Sequence, residues 1–256
     1  MIDSHVHTEF SEDSQMKVQH ALERSKKNNI GLTFTEHLDL KFSEGTDITF
    51  DIDKYFNDYE QYKKSNIMLG IEVGMQQNCF KDNRNIVQKY PFDYVIGSIH
   101  VAKGEDIYYP KFYEGKTKKE AFESYFSSMV DCVKQYDFID SLGHIDYISR
   151  YGTYQDNEIH YHEFTEYING VIKAVLHSGK VMEINTRRLG SKEAYINLTN
   201  IYKAYNQMGG KYVTIGSDAH HAEDIGNNFK EAIKICETCN LKPVYFNKRK
   251  MEYMSI

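Results

Sequence analysis

The chain has 256 residues, 41% apolar and 27% charged with only three prolines, which excludes a disordered or fibrous protein and leaves room for one sizeable core. Its net charge of −6 offers no general attraction for a polyanion, so a small substrate is expected and a nucleic-acid partner is not. No apolar run approaches the roughly 18 to 20 residues that span a bilayer, and the first residues lack a basic-then-apolar leader, so no membrane partner and a cytoplasmic location are expected.

Seven short apolar, partly β-branched runs alternate with longer polar stretches. Residues 1–7 read as the first strand and 13–29 as the helix after it. Residues 31–37 form the second run, followed by a long segment at 39–66 that includes a helix at 53–64. The third run is 67–72 and the fourth 93–100, after which a long loop at 101–119 leads into a helix at 121–136. Residues 138–144, 180–185 and 212–220 are the fifth to seventh runs, with helices at 160–177, 191–208 and 228–240. Long loops of this kind in a compact domain are often lids or binding loops. Cys236-x-x-Cys239 lies on the last helical pattern without a second ligand pair, so both cysteines read as small apolar residues. The alternation predicts a single α/β domain over residues 1–256, its parallel strands closed into a barrel rather than left as an open sheet.

Metal-binding residue types collect at the C-terminal ends of these runs: His5 and His7, His37, Glu72, His100, His144, Glu183 or Asn185, and Asp218 with His220. In a parallel barrel all those ends open onto one face, so six of the eleven histidines would meet there. Residues two apart in a strand share a face, which lets His5 and His7, or Asp218 and His220, serve one ion. His160 and His162 open a helical stretch instead and read as solvated surface, while His20 and His177 read as structural. Imidazoles and carboxylates buried together need a cation to compensate them, and this donor mixture suits zinc, manganese or iron. So many ligands imply two or three ions. Ions sharing a carboxylate and a water can turn that water into a hydroxide nucleophile and polarise a phosphoryl oxygen, which suggests phosphoester hydrolysis.

The segments Asp3-Ser4-His5-Val6-His7-Thr8, Thr35-Glu36-His37, Gly70-Ile71-Glu72, Gly97-Ser98-Ile99-His100, Gly143-His144-Ile145-Asp146 and Gly216-Ser217-Asp218-Ala219-His220 resemble the motifs of the polymerase-and-histidinol-phosphatase (PHP) superfamily. The resemblance runs from Met1 to about Phe246. It implies a distorted seven-stranded (β/α)7 TIM-like barrel with a trinuclear site at the C-terminal ends of the strands. By the same resemblance His5, His7, Glu72 and Asp218 would hold a first metal, Glu72, His100 and His144 a second, and Asp13, His37 and His220 a third. Glu72 would bridge, and Glu72, Asp218 and His220 are expected to act in catalysis. Many members carry a histidine where this chain has Asp13, which on pattern alone would read as a helix cap.

Within that superfamily the size, the loop from Gly104 to Thr117, and the segments 143–152 and 183–186 resemble the stand-alone histidinol-phosphatases. These release phosphate from L-histidinol phosphate in histidine biosynthesis. Arg150 and Arg187 or Arg188 stand where cations could hold a phosphate. Arg150, Arg188, Asn185 and Tyr109 are the expected substrate contacts, the loop's rings and carboxylates facing an imidazole and an ammonium. Another phosphoesterase of the same superfamily would keep the cluster and change that loop, whereas a non-catalytic relative would have lost ligands. Amidohydrolase chemistry commonly uses a lysine-derived bridge, and no lysine ends any of the seven runs. The oligomeric state, including a homo-oligomer, is left open.

Overall fold

The computed structural model describes residues 1–43 and 46–254. All seven expected runs are strands of one parallel series: β1 (Ile2–Val6), β2 (Gly31–Ser43), β4 (Ile67–Gly74), β5 (Tyr94–Ser98), β8 (Ser141–Leu142), β9 (Val181–Asn185) and β10 (Tyr212–Gly216). Three short strands lie off it: β3 (Thr46–Ile48) pairs antiparallel with the end of β2, and β6 (Val101–Ala102) with β7 (Glu105–Asp106). Helices α1 (Val18–Asn28), α2 (Ile52–Tyr59), α3 (Phe80–Lys89), α4 (Lys118–Gln135), α5 (Thr165–His177), α6 (Lys192–Gln207) and α7 (Phe229–Thr238) fill the connections. Every residue of β1, β4, β5 and β9 is buried, which explains their near-continuous apolar runs.

The ring closes just past the end of β10, where Asp218 N–H donates to His5 O (2.8 Å) and His7 N–H to Ala219 O (2.9 Å). At the other end of β10, Tyr212 and Val213 pair instead with Lys242 and Pro243 of β11 (Lys242–Asn247). Strand β11 therefore occupies the gap that β1 leaves, and this is the distortion of the barrel. It turns into β12 (Lys250–Tyr253), and the hairpin caps the N-terminal end of the ring. There the backbone N–H of Arg249 bonds Asp93 O (2.8 Å), and its guanidinium bonds Asp140 (2.6 and 3.0 Å). Ile2, Met68 and Met254 pack beneath.

Local chemistry accounts for the helix starts. Thr117 and Glu120 form a reciprocal capping box on α4, whose Ala121, Phe122, Tyr125, Phe126, Met129 and Val133 are buried at helical spacing. Ser191 accepts from Ala194 N–H to open α6. Three expected helices are shorter at one end. Helix α1 begins at Val18, because residues 9–16 form a loop closed by Glu9 N–H to Met16 O (2.9 Å). Helix α5 begins at Thr165, so His160 and His162 lie in the turn before it, with His160 Nε2 2.9 Å from Asp156 Oδ2. The helix expected over 53–64 is α2 followed by a 3-10 turn, Glu60–Ser65. Cys236 and Cys239 are buried and free. Among the described residues no helix is long and apolar enough to cross a membrane.

Candidate metal centre

The strand ends and, for Asp13, the loop after β1 bring all nine expected ligands, His5, His7, Asp13, His37, Glu72, His100, His144, Asp218 and His220, to one mouth. Glu72, at the end of β4 and fully buried, lies at its middle. Its Oε1 faces His144 Nε2 (2.8 Å) and His100 Nε2 (3.4 Å). Its Oε2 faces His37 Nδ1 (2.9 Å), His5 Nε2 (3.3 Å) and His7 Nε2 (3.5 Å). Asp218 Oδ1 stands 3.8 and 3.6 Å from the same nitrogens of His5 and His7. Asp13 is not a helix cap: its Oδ2 lies 3.1 Å from His220 Nε2 and 3.5 Å from His37 Nε2. His7 stacks between His37 and His220, with centroids 4.2 and 4.3 Å away.

Donor atoms gather within 4.8 Å of one another in four overlapping sets: His5, His7 and Asp218; His5, Glu72 and His144; His7, His37 and His220; and His37, Asp39 and His100. These sets overlap the expected grouping without dividing it cleanly. His7 also joins the His37 and His220 side, and Asp39 stands with His100.

Four atoms at the middle, His5 Nε2, His7 Nε2, His37 Nδ1 and Glu72 Oε2, are buried without a hydrogen-bond partner among the described residues. Although the three nitrogens stand only 2.9 to 3.5 Å from Glu72 Oε2, none is aligned for a hydrogen bond to it. Buried polar atoms are normally paired. Lone pairs converging on one place suit a divalent cation, so these residues fit the expected ions.

Four rings, those of His5, His7, His100 and His220, are anchored from behind through Nδ1, as is usual for metal-bound imidazoles, whereas His144 Nδ1 has no partner among the described residues. Glu183 Oε1 takes His5 Nδ1 (2.7 Å) and its Oε2 takes the His144 backbone N–H (2.8 Å). Asp39 Oδ1 takes His100 Nδ1 (2.8 Å), Ser11 Oγ takes His7 Nδ1 (3.0 Å), and the Asp218 carbonyl takes His220 Nδ1 (3.0 Å). Sequence reasoning left Glu183 level with Asn185 as a strand-end residue and missed Asp39 and Ser11. Asp39 was findable, since it is two residues past His37 on the same strand face.

Two local features make room. Asp218 has a left-handed backbone (φ 56°), a cost tolerated where the surroundings enforce it. A Cβ on Gly216 would strike His5 and Glu183, and one on Gly74 would strike Asp39.

Burial opposes charge throughout, yet pairing decides the outcome at most positions. Glu183, Glu72 and Asp218 hold His5 well above the ordinary imidazole range, while His5, His100 and His37 hold Glu72, and Arg150 with His5 holds Asp218, well below the ordinary carboxylate range. Burial together with neighbouring His37, His220 and His5 holds His7 well below the ordinary imidazole range.

A cavity of about 430 Å3 opens over this centre, lined among others by His37, His100, Asp218 and His220. Arg150 reaches its wall, donating to Asp218 Oδ2 (2.7 Å) and Asn185 Oδ1 (3.1 Å). Asn185 is buried behind it and holds the arginine rather than lining the cavity. Tyr109 is on the wall, beside Tyr108 and Tyr151. Arg188 is not: Asp146 (3.1 Å) and Glu158 hold its guanidinium away, and Arg187 stands on the wall in its place. Asp106 also lines the cavity; its Oδ1 accepts from Tyr108 N–H (2.8 Å), while its Oδ2 is buried and unpartnered among the described residues.

The model of the PHP domain matches residues 3–187. A probable histidinol-phosphatase of Clostridium acetobutylicum is 49% identical, with 99% of each chain covered. The histidinol-phosphatase of Lactococcus lactis is 30% identical over 87% of this chain and 85% of its own. The crystal structure of histidinol phosphate phosphatase from Lactococcus lactis, complexed with zinc, L-histidinol and phosphate, superposes with a TM-score of 0.93 at 28% identity, covering 98% of both chains.

Proposed function

This chain belongs to the PHP domain family, in its histidinol-phosphatase branch, and from that premise we propose how its site works. It is a metal-dependent phosphomonoesterase that hydrolyses L-histidinol phosphate to L-histidinol and phosphate. The single observation that carries the mechanism is the convergence of His5, His7, His37 and Glu72 atoms, unpartnered among the described residues, beneath a cavity that His37, His100, His144, Asp218 and His220 line.

His5, His7, Glu72 and Asp218 would hold one ion, Glu72, His100 and His144 a second, and Asp13, His37 and His220 a third, with zinc the first choice and manganese or iron the alternatives. Ions there would supply an acidified water and neutralise charge on a phosphoryl group. The remaining work belongs to the protein. Glu72 turns one oxygen to each half of the centre. Arg150 fixes the Asp218 carboxylate from the wall, and Asn185 fixes Arg150. Arg187, nearly half exposed, donates to the Asp218 carbonyl (3.4 Å) and lines the cavity, where it can meet the phosphate, a role Arg188 cannot share while paired with Asp146 and Glu158.

The far end of the cavity suits the rest of the substrate. Tyr147, Tyr151 and Tyr108 form a chain of rings 5.0 Å apart, leading outward from His144. A flat imidazole can stack there, and the spare Asp106 oxygen can accept from a cationic N–H. The four cysteines are free and buried, which supports a cytoplasmic location.

The test is turnover of L-histidinol phosphate against p-nitrophenyl phosphate and a nucleoside monophosphate, in the wild type and Asp106→Asn. Wild type is predicted to prefer L-histidinol phosphate. Asp106→Asn is predicted to raise KM for it by about 10-fold or more, the worth of a charged hydrogen bond, and to leave p-nitrophenyl phosphate turnover unchanged. Equal turnover of all three by the wild type would contradict the specificity reading.

A further inference from the structure

Beneath the metal centre lies a buried carboxylate that the mechanism does not use. Glu36, on β2 next to His37, is fully buried and faces away from the cavity. Its Oε2 accepts the Ser11 hydroxyl (2.6 Å) and its Oε1 the Thr8 hydroxyl (2.6 Å), while the Thr8 backbone N–H is shared between both oxygens (3.0 and 3.2 Å). Every one of these partners can donate.

A serine hydroxyl has one hydrogen and two lone pairs. At Ser11 the hydrogen goes to Glu36, so the oxygen can only accept from its other two neighbours, the His37 backbone N–H (3.1 Å) and His7 Nδ1 (3.0 Å). His7 Nδ1 must then carry the ring hydrogen. His7 Nε2 is left bare, facing Glu72 Oε2 and Asp218 Oδ1.

We propose that Glu36 is a positioning residue for the metal centre: acting through the Ser11 hydroxyl, it locks His7 in the Nδ1–H tautomer and so keeps Nε2 available as a ligand atom. The relay also ties the loop between β1 and α1 to the His37 backbone, setting the two stacked rings relative to each other. With glutamine at position 36, one of the two oxygens becomes an N–H donor. If it faces Ser11, the hydroxyl reverses and donates to His7, placing the ring hydrogen on Nε2, where it blocks ligation. In either orientation it also opposes the shared Thr8 backbone N–H, which cannot reverse.

The proposal rests on His7 being a ligand, and the experiment separates the two claims. Zinc-loaded full-length protein is titrated with a competing chelator, and zinc per chain is measured in Glu36→Gln, Ser11→Ala, Ser11→Thr, Thr8→Val and His7→Ala, with folding checked by circular dichroism. Glu36→Gln and Ser11→Ala are predicted to weaken zinc retention by roughly 10- to 100-fold, the usual effect of losing an outer partner of a metal-bound histidine. Ser11→Thr should restore it. Thr8→Val removes a Glu36 partner outside the relay and should retain zinc like the wild type. In 15N spectra of the zinc-loaded wild type, His7 should show a protonated Nδ1. Wild-type retention in folded Ser11→Ala, or an equal loss in Thr8→Val, would overturn the relay. Wild-type zinc content in His7→Ala would instead overturn the ligand reading beneath it.

Discussion

At the scale of single residues, the site is a set of charges that neutralise one another only incompletely. Burial opposes charge on His100, but Asp39 and Glu72 outweigh it and push the imidazole up to about 10. Burial is likewise outweighed at His5, by Glu183 and Glu72, and at His37, by Glu72 and Asp13. A cation must displace those protons. Zinc binding near neutral pH is therefore predicted to release protons and to weaken as pH falls, read by calorimetry in buffers of different ionisation heat; uptake without proton release would contradict this. Stability of the metal-free chain follows from the same shifts. The raised histidines contribute fully below their unfolded value of 6.5 and lose that contribution as pH rises toward about 10 for His100. Glu72 and Asp218, held well below 4.5 and 3.8, contribute above those values and lose it only in strong acid. Tm of the metal-free protein should thus fall as pH rises from about 6.5 toward 10. Arg150→Ala leaves Asp218 buried beside one cation fewer, and should destabilise the metal-free chain by about 3–5 kcal/mol in denaturant unfolding. Most of these residues were legible in the sequence, because a histidine or carboxylate at a strand end carries its own signal. Asp39 could have been read from its place two residues past His37, but Glu183, Ser11 and Glu36 were not legible as anchors, since which side chain backs which ring is decided only by packing.

At the scale of elements, the seven runs were readable because strands covered on both faces are apolar throughout. Helix α3 was not read. Its sequence FKDNRNIVQK buries only Asn83 and Val87, too sparse a stripe to stand out. Strand β12 was missed for a related reason: all four of its residues are exposed, so it shows no alternation. Strand β2 continues six residues past His37 to Ser43, which is how Asp39 reaches His100. The β11–β12 hairpin does its work far from the cavity, through Arg249 on Asp140 and Asp93. Arg249→Ala is predicted to cost about 1–3 kcal/mol of stability, since it strips charged partners from Asp140, with kcat unchanged. A loss of kcat at full folding would show that the two ends of the barrel are coupled.

At the scale of the whole molecule, the ring is closed at its catalytic rim by hydrogen bonds between β1 and the residues after β10, and capped at the other end by the last strands of the chain. The first closure joins the start of the chain to residues 218 and 219 and the second joins Arg249 to its middle, so we propose that the chain unfolds as one domain, in a single transition whose Tm rises when zinc is bound. The central claim is that turnover depends on the cluster of His5, His7, Glu72 and their neighbours. It is tested most directly by phosphate release from L-histidinol phosphate, using metal-stripped protein reconstituted separately with zinc, manganese and iron, alongside His5→Ala and Glu72→Gln. The prediction is no turnover when stripped, recovery with at least one of the three metals, and no recovery in either variant. Undiminished turnover by fully stripped protein, or wild-type recovery in both variants, would contradict it.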